Sequence, residues 1–198
     1  QDTIVYPAFL HFSHSPSRLF RLTAMHLHDR FAEFLSASEI IEATPALLND
    51  QRRRFVSSPD IVLQPNSVES VQKIMRFCFE NRIRVTPQGG NTGLCGATVT
   101  TEGVLLNLSK LNRIRDINLA DNSMTVEAGV ILQNAQKAAA EAERLFPLSL
   151  ASEGSCQIGG NIACNAGGLN VLRYGSMRDL VLGLEVVLPN GELVSHLQ

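Results

Sequence analysis

The sequence lacks an excess of charge of either sign. Its 17 Lys and Arg residues nearly balance its 19 Asp and Glu residues, which leaves a formal net charge of -2 and an isoelectric point near 6.2. Proteins that bind nucleic acid or anionic membranes electrostatically carry a basic patch or a strong positive charge. The composition therefore predicts no nucleic-acid partner.

Long apolar runs are also missing. The longest stretch without charge, residues 154–172, is interrupted by serine, glutamine, asparagine and five glycines. A membrane-spanning helix needs about 20 consecutive, mostly apolar residues. The sequence thus predicts no transmembrane segment, while its 44% hydrophobic residues indicate a folded globular chain.

Cysteine pairs with ligand or redox spacing are absent. None of the four cysteines forms a C-x-x-C pair or has a histidine at zinc-finger spacing, and a chain of 198 residues can bury a core without disulfides. Four of the five histidines lie near the N-terminus without a carboxylate cluster, so we predict no metal site in this chain. The cysteines are predicted to be reduced and mostly buried thiols: Cys78, Cys95, Cys156 and Cys164.

The common nucleotide and hydrolase motifs are missing as well. No G-x-G-x-x-G opens a helix, and no glycine is followed by lysine, which excludes the dinucleotide fingerprint and the P-loop. There is no H-E-x-x-H and no G-x-S-x-G. If the chain binds a nucleotide, it uses a different loop.

Composition divides the chain into three segments. Residues 1–24 contain few charges, two prolines and several serines and histidines, so we expect a disordered, targeting or upstream segment. Residues 25–54 place Leu27 and Phe31 at helical spacing and predict a helical lead-in. Residues 55–198 contain the remaining predicted elements and are expected to form the main domain.

The main domain opens with a predicted βαβ-like unit. Residues 61–63 are uniformly apolar and predict a strand, and Ser67 is a typical N-cap for the amphipathic helix that follows. A second strand over 83–86 leads into a glycine-rich loop, where ligands of α/β sheets often bind. Further predictions are strands over 104–108 and 124–127, a helix over 130–145 with Val130, Ala135, Ala138, Ala142 and Leu145 facing inward, and a hairpin over 181–194.

Glycine is concentrated in two loops. Each glycine costs about 0.5–1 kcal/mol relative to alanine in an ordered segment, so such a concentration needs a reason. No Asp, Glu, Lys or Arg occurs in residues 86–101 or 154–172, and clustered backbone N–H groups can bind anions without a lysine. The alternative is that the glycines only permit tight turns and chain crossing. The ten glycines are Gly89, Gly90, Gly93, Gly96, Gly154, Gly159, Gly160, Gly167, Gly168 and Gly175.

These loops carry a resemblance to a known family. The sequence P-Q-G-G-N-T-G over 87–93, then G-S-C-Q-I-G-G-N-I-A-C-N-A-G-G over 154–168, L-R-Y-G over 172–175 and V-L-G-L-E-V-V-L over 181–188 resembles the FAD domain of the vanillyl-alcohol oxidase and p-cresol methylhydroxylase flavoproteins. Within that superfamily the chain is most similar to the branch of D-2-hydroxyglutarate, D-lactate and glycolate dehydrogenases. The resemblance covers about residues 55–198.

The resemblance implies a fold and a set of cofactor-binding residues. The implied fold is α+β, a two-lobed FAD-binding domain of the p-cresol methylhydroxylase (PCMH) type whose second lobe is incomplete in this chain. Covalent relatives have a histidine at the place of Thr92, so FAD is expected to be non-covalent. The first loop would bind the pyrophosphate through Pro87, Gln88, Gly89, Gly90, Asn91, Thr92, Gly93 and Leu94. The second would lie along the flavin and ribityl chain with Gly154, Ser155, Ile158, Gly159, Gly160, Asn161, Asn165, Ala166, Gly167 and Gly168.

The implied activity is the FAD-dependent oxidation of a D-2-hydroxy acid to the 2-oxo acid, with electrons passed to an acceptor. The family's catalytic residues and its divalent-metal ligands belong to a substrate half expected beyond Gln198, so no catalytic residue is assigned here. A bacterial protein would be cytoplasmic and a eukaryotic one mitochondrial, and neither would be secreted. Two alternatives stay open: a stand-alone flavin- or nucleotide-binding module or remnant without catalysis, and an FAD oxidase of the same superfamily acting on a sugar or alcohol. The oligomeric state is not predicted.

Overall fold

The computed structural model describes residues 24–197. The segment expected to be disordered or a targeting sequence lies, apart from Ala24, outside these residues. No helix within 24–197 has the length and hydropathy that a membrane span requires.

A four-stranded mixed sheet organises the first lobe. The strand order is β1-β2-β4-β3, with β1 antiparallel to β2 and the other neighbours parallel. The two strands of the predicted βαβ unit are therefore not adjacent, because β4 lies between them. The strands are β1 (Ile40–Ile41), β2 (Ile61–Leu63), β3 (Val85–Gln88) and β4 (Val104–Asn107).

Helix α3 (Val68–Glu80) packs its apolar face against this sheet. The helix begins as predicted, because the hydroxyl of Ser67 accepts a hydrogen bond from the backbone N–H of Ser70 at 3.1 Å. Ile74 is fully buried, and burial raises the pKa of the Cys78 thiol to about 12. The other helices before β2 are α1 (Ala24–Ala32), a 3₁₀ turn (Ala37–Glu39) and α2 (Pro45–Leu48).

The second lobe has its own hydrophobic core beside the hairpin of β5 (Ile114–Asn118) and β6 (Ser123–Val126). Its helices are α4 (Leu132–Glu141), α5 (Ile158–Ala163), α6 (Val171–Tyr174) and a 3₁₀ turn (Met177–Leu180). The buried core residues are Val130, Leu132, Ala135, Leu148, Cys156, Ile158 and Met177.

The predicted C-terminal hairpin is confirmed, with β7 (Glu185–Val187) antiparallel to β8 (Leu193–Ser195). Its turn contacts α3 of the first lobe, where Gln72 Nε2 donates to the carbonyl oxygen of Gly191 at 3.1 Å. Gly191 has a φ of +81°, and a β-carbon there would lie 2.6 Å from the carbonyl oxygen of Gln72. Glycine is therefore required at this contact on both conformational and steric grounds.

Arg115 of β5 joins the two hairpins, because it contacts the buried carboxylate of Glu127 and also Glu185 of β7. The side chain of Glu127 is 2% exposed and binds Arg113 at 2.8 Å and Arg115 at 3.4 Å. Arg115 also contacts Glu185 of β7 at 2.8 Å. Burial raises the pKa of Glu127, but hydrogen bonds and charge from Arg113 outweigh it, so the pKa lies below its ordinary value.

Several details differ from the sequence predictions. The alanine-rich helix spans Leu132–Glu141 and not residues 130–145, so Leu145 lies beyond it and is 65% exposed. Ala139 is buried, whereas Ala138, which was expected to face inward, is half-buried. The prediction of mostly buried cysteines is wrong for two of the four, because Cys95 and Cys164 lie in loops and are exposed. All four thiols are free, as predicted.

Candidate cofactor-binding site

The first glycine-rich loop begins where β3 ends, at the carboxyl edge of the parallel strands. Gln88, the last residue of β3, pairs with Asn107 across the sheet. Gln88 is 1% exposed, and its Nε2 donates to the carbonyl oxygen of Leu47 at 2.9 Å. Gln88 therefore anchors the loop from inside the protein.

Asn91 fixes the middle of the first loop. It has a left-handed backbone with φ of +54°, which asparagine tolerates better than most residues. Its Nδ2 donates to the carbonyl oxygens of Asn49 at 2.7 Å and Ala46 at 3.1 Å, and its Oδ1 accepts from Thr98 Oγ1 at 2.8 Å. These bonds tie the loop to α2.

The second glycine-rich loop is built around the short helix α5. Within the second lobe Gly159 packs against Ala128, where a β-carbon would be 2.7 Å from the β-carbon of Ala128. Asn165 and Ala166 follow the helix and hold the 3₁₀ turn: the N–H of Arg178 donates to Asn165 Oδ1 at 2.9 Å, and the N–H of Met177 donates to the carbonyl oxygen of Ala166 at 2.8 Å. The loop is thus fixed at both ends.

The two loops, more than 60 residues apart in sequence, lie against each other. A β-carbon at Gly90 would overlap the carbonyl oxygen of Ser155, and one at Gly89 would lie 3.2 Å from Gln157 Oε1. The sequence predicted two loops that share one ligand, and the structure brings them together at one surface.

Five of the ten glycines of the loops fall into two groups. Packing of the chain requires glycine at three positions, because a β-carbon there would overlap a neighbouring segment: Gly90, Gly159 and Gly168. At Gly93 and Gly160 a β-carbon would meet no protein atom within 4 Å, and neither residue has a positive φ. Turn geometry and chain crossing therefore explain the first group but not the second, which presents bare backbone to open space.

Two buried polar atoms near the loops lack a partner. Gln157 and Asn161 are 7% and 5% exposed, and neither Gln157 Oε1 nor Asn161 Nδ2 has a hydrogen bond. Buried polar groups in folded proteins are nearly always paired. A ligand that offers both donors and acceptors would satisfy this acceptor and this donor.

The site suits binding rather than acid–base chemistry. Neither loop contains Asp, Glu, Lys, Arg or His in residues 86–101 and 154–172. Within residues 24–197, no three His, Cys, Asp or Glu side chains converge on a position that could hold a metal ion. The open glycine backbone, the unpaired amide atoms and the neutral lining fit a large cofactor that combines an uncharged ring system with an anionic pyrophosphate, such as FAD.

Comparison with known proteins identifies the class. A family model described as an FAD binding domain matches residues 59–196. The chain is 40% identical over 173 residues to D-2-hydroxyglutarate–pyruvate transhydrogenase of Saccharomyces cerevisiae. This match covers 84% of this chain and 35% of that protein. It is 44% identical over 146 residues to D-2-hydroxyglutarate dehydrogenase of Xanthomonas citri, covering 73% and 31%. The chain thus spans about a third of the length of these curated relatives.

Solved structures show the same architecture. Alkyldihydroxyacetonephosphate synthase matches 96% of this chain and 37% of its own with a TM-score of 0.76 at 14% identity. The 6-hydroxy-D-nicotine oxidase of Arthrobacter nicotinovorans matches 79% of this chain and 35% of its own with a TM-score of 0.69 at 22% identity. At these identities the matches show the fold alone.

The chain belongs to the FAD binding domain family. The resemblance drawn from the two loops is confirmed, as is the α+β fold of the PCMH-type FAD-binding domain. The family match supports FAD as the cofactor. Sequence reasoning missed Gln157, which gave no signal because it is a single neutral residue whose polar partner, Ser109, lies 48 positions earlier.

Proposed function

We propose that this chain holds FAD at the surface where its two glycine-rich loops meet. We further propose that it is the cofactor-binding part of a dehydrogenase that oxidises a D-2-hydroxy acid to the 2-oxo acid. The contact between the loops supports the first statement, together with the open backbone of Gly93 and Gly160 and the unpaired amide of Asn161. The relatives named as D-2-hydroxyglutarate dehydrogenases support the second.

The first loop is proposed to bind the pyrophosphate of FAD. Since residues 86–101 contain no Lys or Arg, the phosphate charge would be met by backbone N–H groups. Gln88 and Asn91 face inward and act by holding the loop, whereas Gly93 offers backbone directly. The other residues predicted for this loop are Pro87, Gly89, Gly90, Thr92 and Leu94.

The second loop is proposed to bind the flavin and the ribityl chain. Gly160 offers open backbone, and Asn161 offers a donor for an acceptor of the cofactor. Ile158 is 3% exposed in the core and Gly159 packs on Ala128, so both act by positioning the loop. The remaining predicted residues are Gly154, Ser155, Asn165, Ala166, Gly167 and Gly168.

FAD, when bound, supplies the two-electron acceptor that oxidation of a 2-hydroxy acid requires. The residues of this chain bind and orient the cofactor and exclude water from one side of it. Groups that bind the hydroxy acid, transfer its hydroxyl proton and hold a divalent metal are proposed to lie outside this chain. The other partner is an electron acceptor.

Non-covalent attachment of FAD is part of the proposal, because Thr92 stands where covalent relatives have histidine and its hydroxyl is a poor substitute for an imidazole nucleophile. A mitochondrial location is proposed if the source is a eukaryote, since relatives from Danio rerio and Schizosaccharomyces pombe are named mitochondrial. A cytoplasmic location is proposed for a bacterial source.

The experiment uses the full-length gene product. The protein is incubated with FAD and desalted, and its visible spectrum is recorded before and after anaerobic addition of D-2-hydroxyglutarate, D-lactate or glycolate. Retained flavin bands that are bleached by one of these three acids, and not by L-2-hydroxyglutarate, support the proposal. Retained bands that no hydroxy acid bleaches support the stand-alone binding module, and rapid oxygen consumption with a sugar or alcohol supports the oxidase. A protein without flavin bands refutes the cofactor site.

A further inference from the structure

A chain of hydrogen-bonded polar side chains runs behind the proposed FAD site and joins the two loops. Gln157 Nε2 donates to Ser109 Oγ at 3.1 Å, and Ser109 Oγ donates to Asn107 Oδ1 at 2.6 Å. Asn107 Nδ2 donates to Gln88 Oε1 at 3.2 Å, and Gln88 Nε2 donates to the carbonyl oxygen of Leu47 at 2.9 Å. We call this the amide relay.

Every bond of the amide relay points the same way, from the second loop through β4 to the first loop and α2. The direction follows from the partners of Asn107 Oδ1, which also accepts from Gln64 Nε2 at 3.0 Å and from the backbone N–H of Ser109 at 3.1 Å. Because the hydroxyl of Ser109 donates its one hydrogen to this oxygen, it can only accept from Gln157. Aligned hydrogen bonds polarise one another, which strengthens the free acceptor on the residue where the chain of donors begins.

That free acceptor is Gln157 Oε1, which is buried and has no partner. It lies at the junction of the loops, beside the backbone of Gly89. Asn107 begins an N-x-S sequence, the pattern of an N-glycosylation acceptor. However, it is 2% exposed, and its side-chain nitrogen donates to Gln88. Asn107 and Ser109 are thus engaged in joining the loops.

We propose that Asn107 and Ser109 are positioning residues that set the second loop against the first, and that Gln157 is a binding residue whose Oε1 accepts a hydrogen bond from a donor group of bound FAD. This inference rests on the proposed function, because it takes FAD to be the hydrogen-bond partner of the unpaired Gln157 Oε1. It predicts that weakening the relay loosens FAD without removing any group of the first loop.

The test compares three serine variants of the full-length gene product. Ser109→Ala removes the hydroxyl that links Asn107 to Gln157, and Ser109→Thr restores it. Ser67→Ala is the matched control, because it removes a capping hydroxyl of α3 that bonds to Ser70 and not to the relay, and it lowers stability for an unrelated reason. The readouts are the Kd for FAD from flavin fluorescence, the visible circular dichroism of bound flavin and the Tm of the apoprotein.

We expect Ser109→Ala to bind FAD about tenfold more weakly, the effect of losing one to two net hydrogen bonds. Ser109→Thr should restore most of the affinity, and Ser67→Ala should lower Tm with the Kd unchanged. Gln157→Met keeps the side-chain length but removes both polar atoms, so it should weaken FAD further and change the circular dichroism of the flavin.

The inference is overturned if Gln157→Met binds FAD with unchanged affinity and dichroism, or if Ser109→Ala changes the Kd no more than Ser67→Ala does. Either result leaves the proposed function intact, provided that the unaltered protein retains FAD. If the unaltered protein retains none, the proposed function fails first and this inference fails with it. Gln157→Met decides the question even where Ser109→Ala does not fold.

Discussion

Gly90 lies so close to Ser155 that any side chain at position 90 would overlap the carbonyl oxygen of Ser155. The two loops therefore meet backbone to backbone. We expect Gly90→Ala to reduce the free energy of unfolding by about 1–3 kcal/mol, the usual effect of overpacking. Urea unfolding of the apoprotein measures this change, and an unaltered midpoint would contradict the loop contact.

Gly93→Ala is the complementary variant. A methyl group at position 93 meets no protein atom within 4 Å, and the residue does not need a positive φ. We expect the free energy of unfolding to stay within about 0.5 kcal/mol of the original, the usual range for such surface changes. FAD affinity should fall, because the methyl group occupies space at the cofactor surface. Equal FAD affinity in Gly93→Ala and the unaltered protein would remove this residue from the proposed site.

Glu127→Gln tests the buried carboxylate that holds Arg113 and Arg115 beside the β5–β6 hairpin. The variant loses charge-assisted bonds to Arg113 and Arg115, so we expect a loss of about 1–3 kcal/mol in the free energy of unfolding at pH 7. Glu102→Gln is the control, because its ion pair with Arg84 is exposed and should contribute less than about 1 kcal/mol. Equal losses in the two variants would contradict the role given to Glu127.

The same carboxylate predicts a pH dependence. Burial raises the pKa of Glu127, whereas the interactions with Arg113 lower it. The lowering is larger, so the pKa lies below its ordinary value of 4.5. A lowered pKa in the folded state contributes stability that is complete above the unfolded value and is lost as pH falls through the folded value. The stability difference between the original protein and Glu127→Gln should therefore shrink below about pH 4.5. A difference that is constant down to pH 3 would rule this out.

Thiol labelling distinguishes the four cysteines. Cys95 and Cys164 are exposed in the two loops, whereas Cys78 and Cys156 are buried, and burial raises the pKa of Cys78 to about 12. We expect two thiols to react rapidly in the native protein and all four after denaturation. Since both exposed thiols lie in the proposed site loops, FAD should slow at least one of them. Four rapid thiols in the native protein would contradict the packing of the two cores.

Acid denaturation tests the attachment of FAD. With Thr92 in place of a nucleophilic histidine, all of the flavin should leave the protein and appear in the supernatant. The separated polypeptide should show no flavin fluorescence on a denaturing gel. Flavin that stays with the polypeptide would show a covalent bond to another residue.

Local sequence patterns were sufficient for the elements with a strong period or cap. Ile61–Leu63 is uniformly apolar because β2 is covered on both faces, and Ser67 marked the start of α3. Strand β5 was missed, since its sequence I-R-D-I-N gives weak alternation and its pairing with β6 shifts register between Ile114 and Asp116. The two-residue strand β1 is too short to leave a periodic signal.

The sequence likewise predicted only part of the candidate site. Glycines and missing charges mark the loops in the sequence, but they do not show which glycines serve packing and which face open space. Gly90 and Gly93 look equivalent in the sequence and differ only through the position of Ser155. The amide relay joins residues from four segments, and long-range side-chain bonds of this kind leave no local pattern.

The contact between Gln72 and Gly191 has a consequence for the order of folding. It closes a segment of chain 119 positions long, within which both glycine-rich loops lie. Contacts between residues so far apart form slowly, because the entropy of closing the intervening chain is lost before the contact is gained. We therefore expect the hairpin of β7 and β8 to dock on α3 late in refolding, so that a newly made chain leaves this face of α3 exposed to chaperones and proteases until residue 191 has been synthesised.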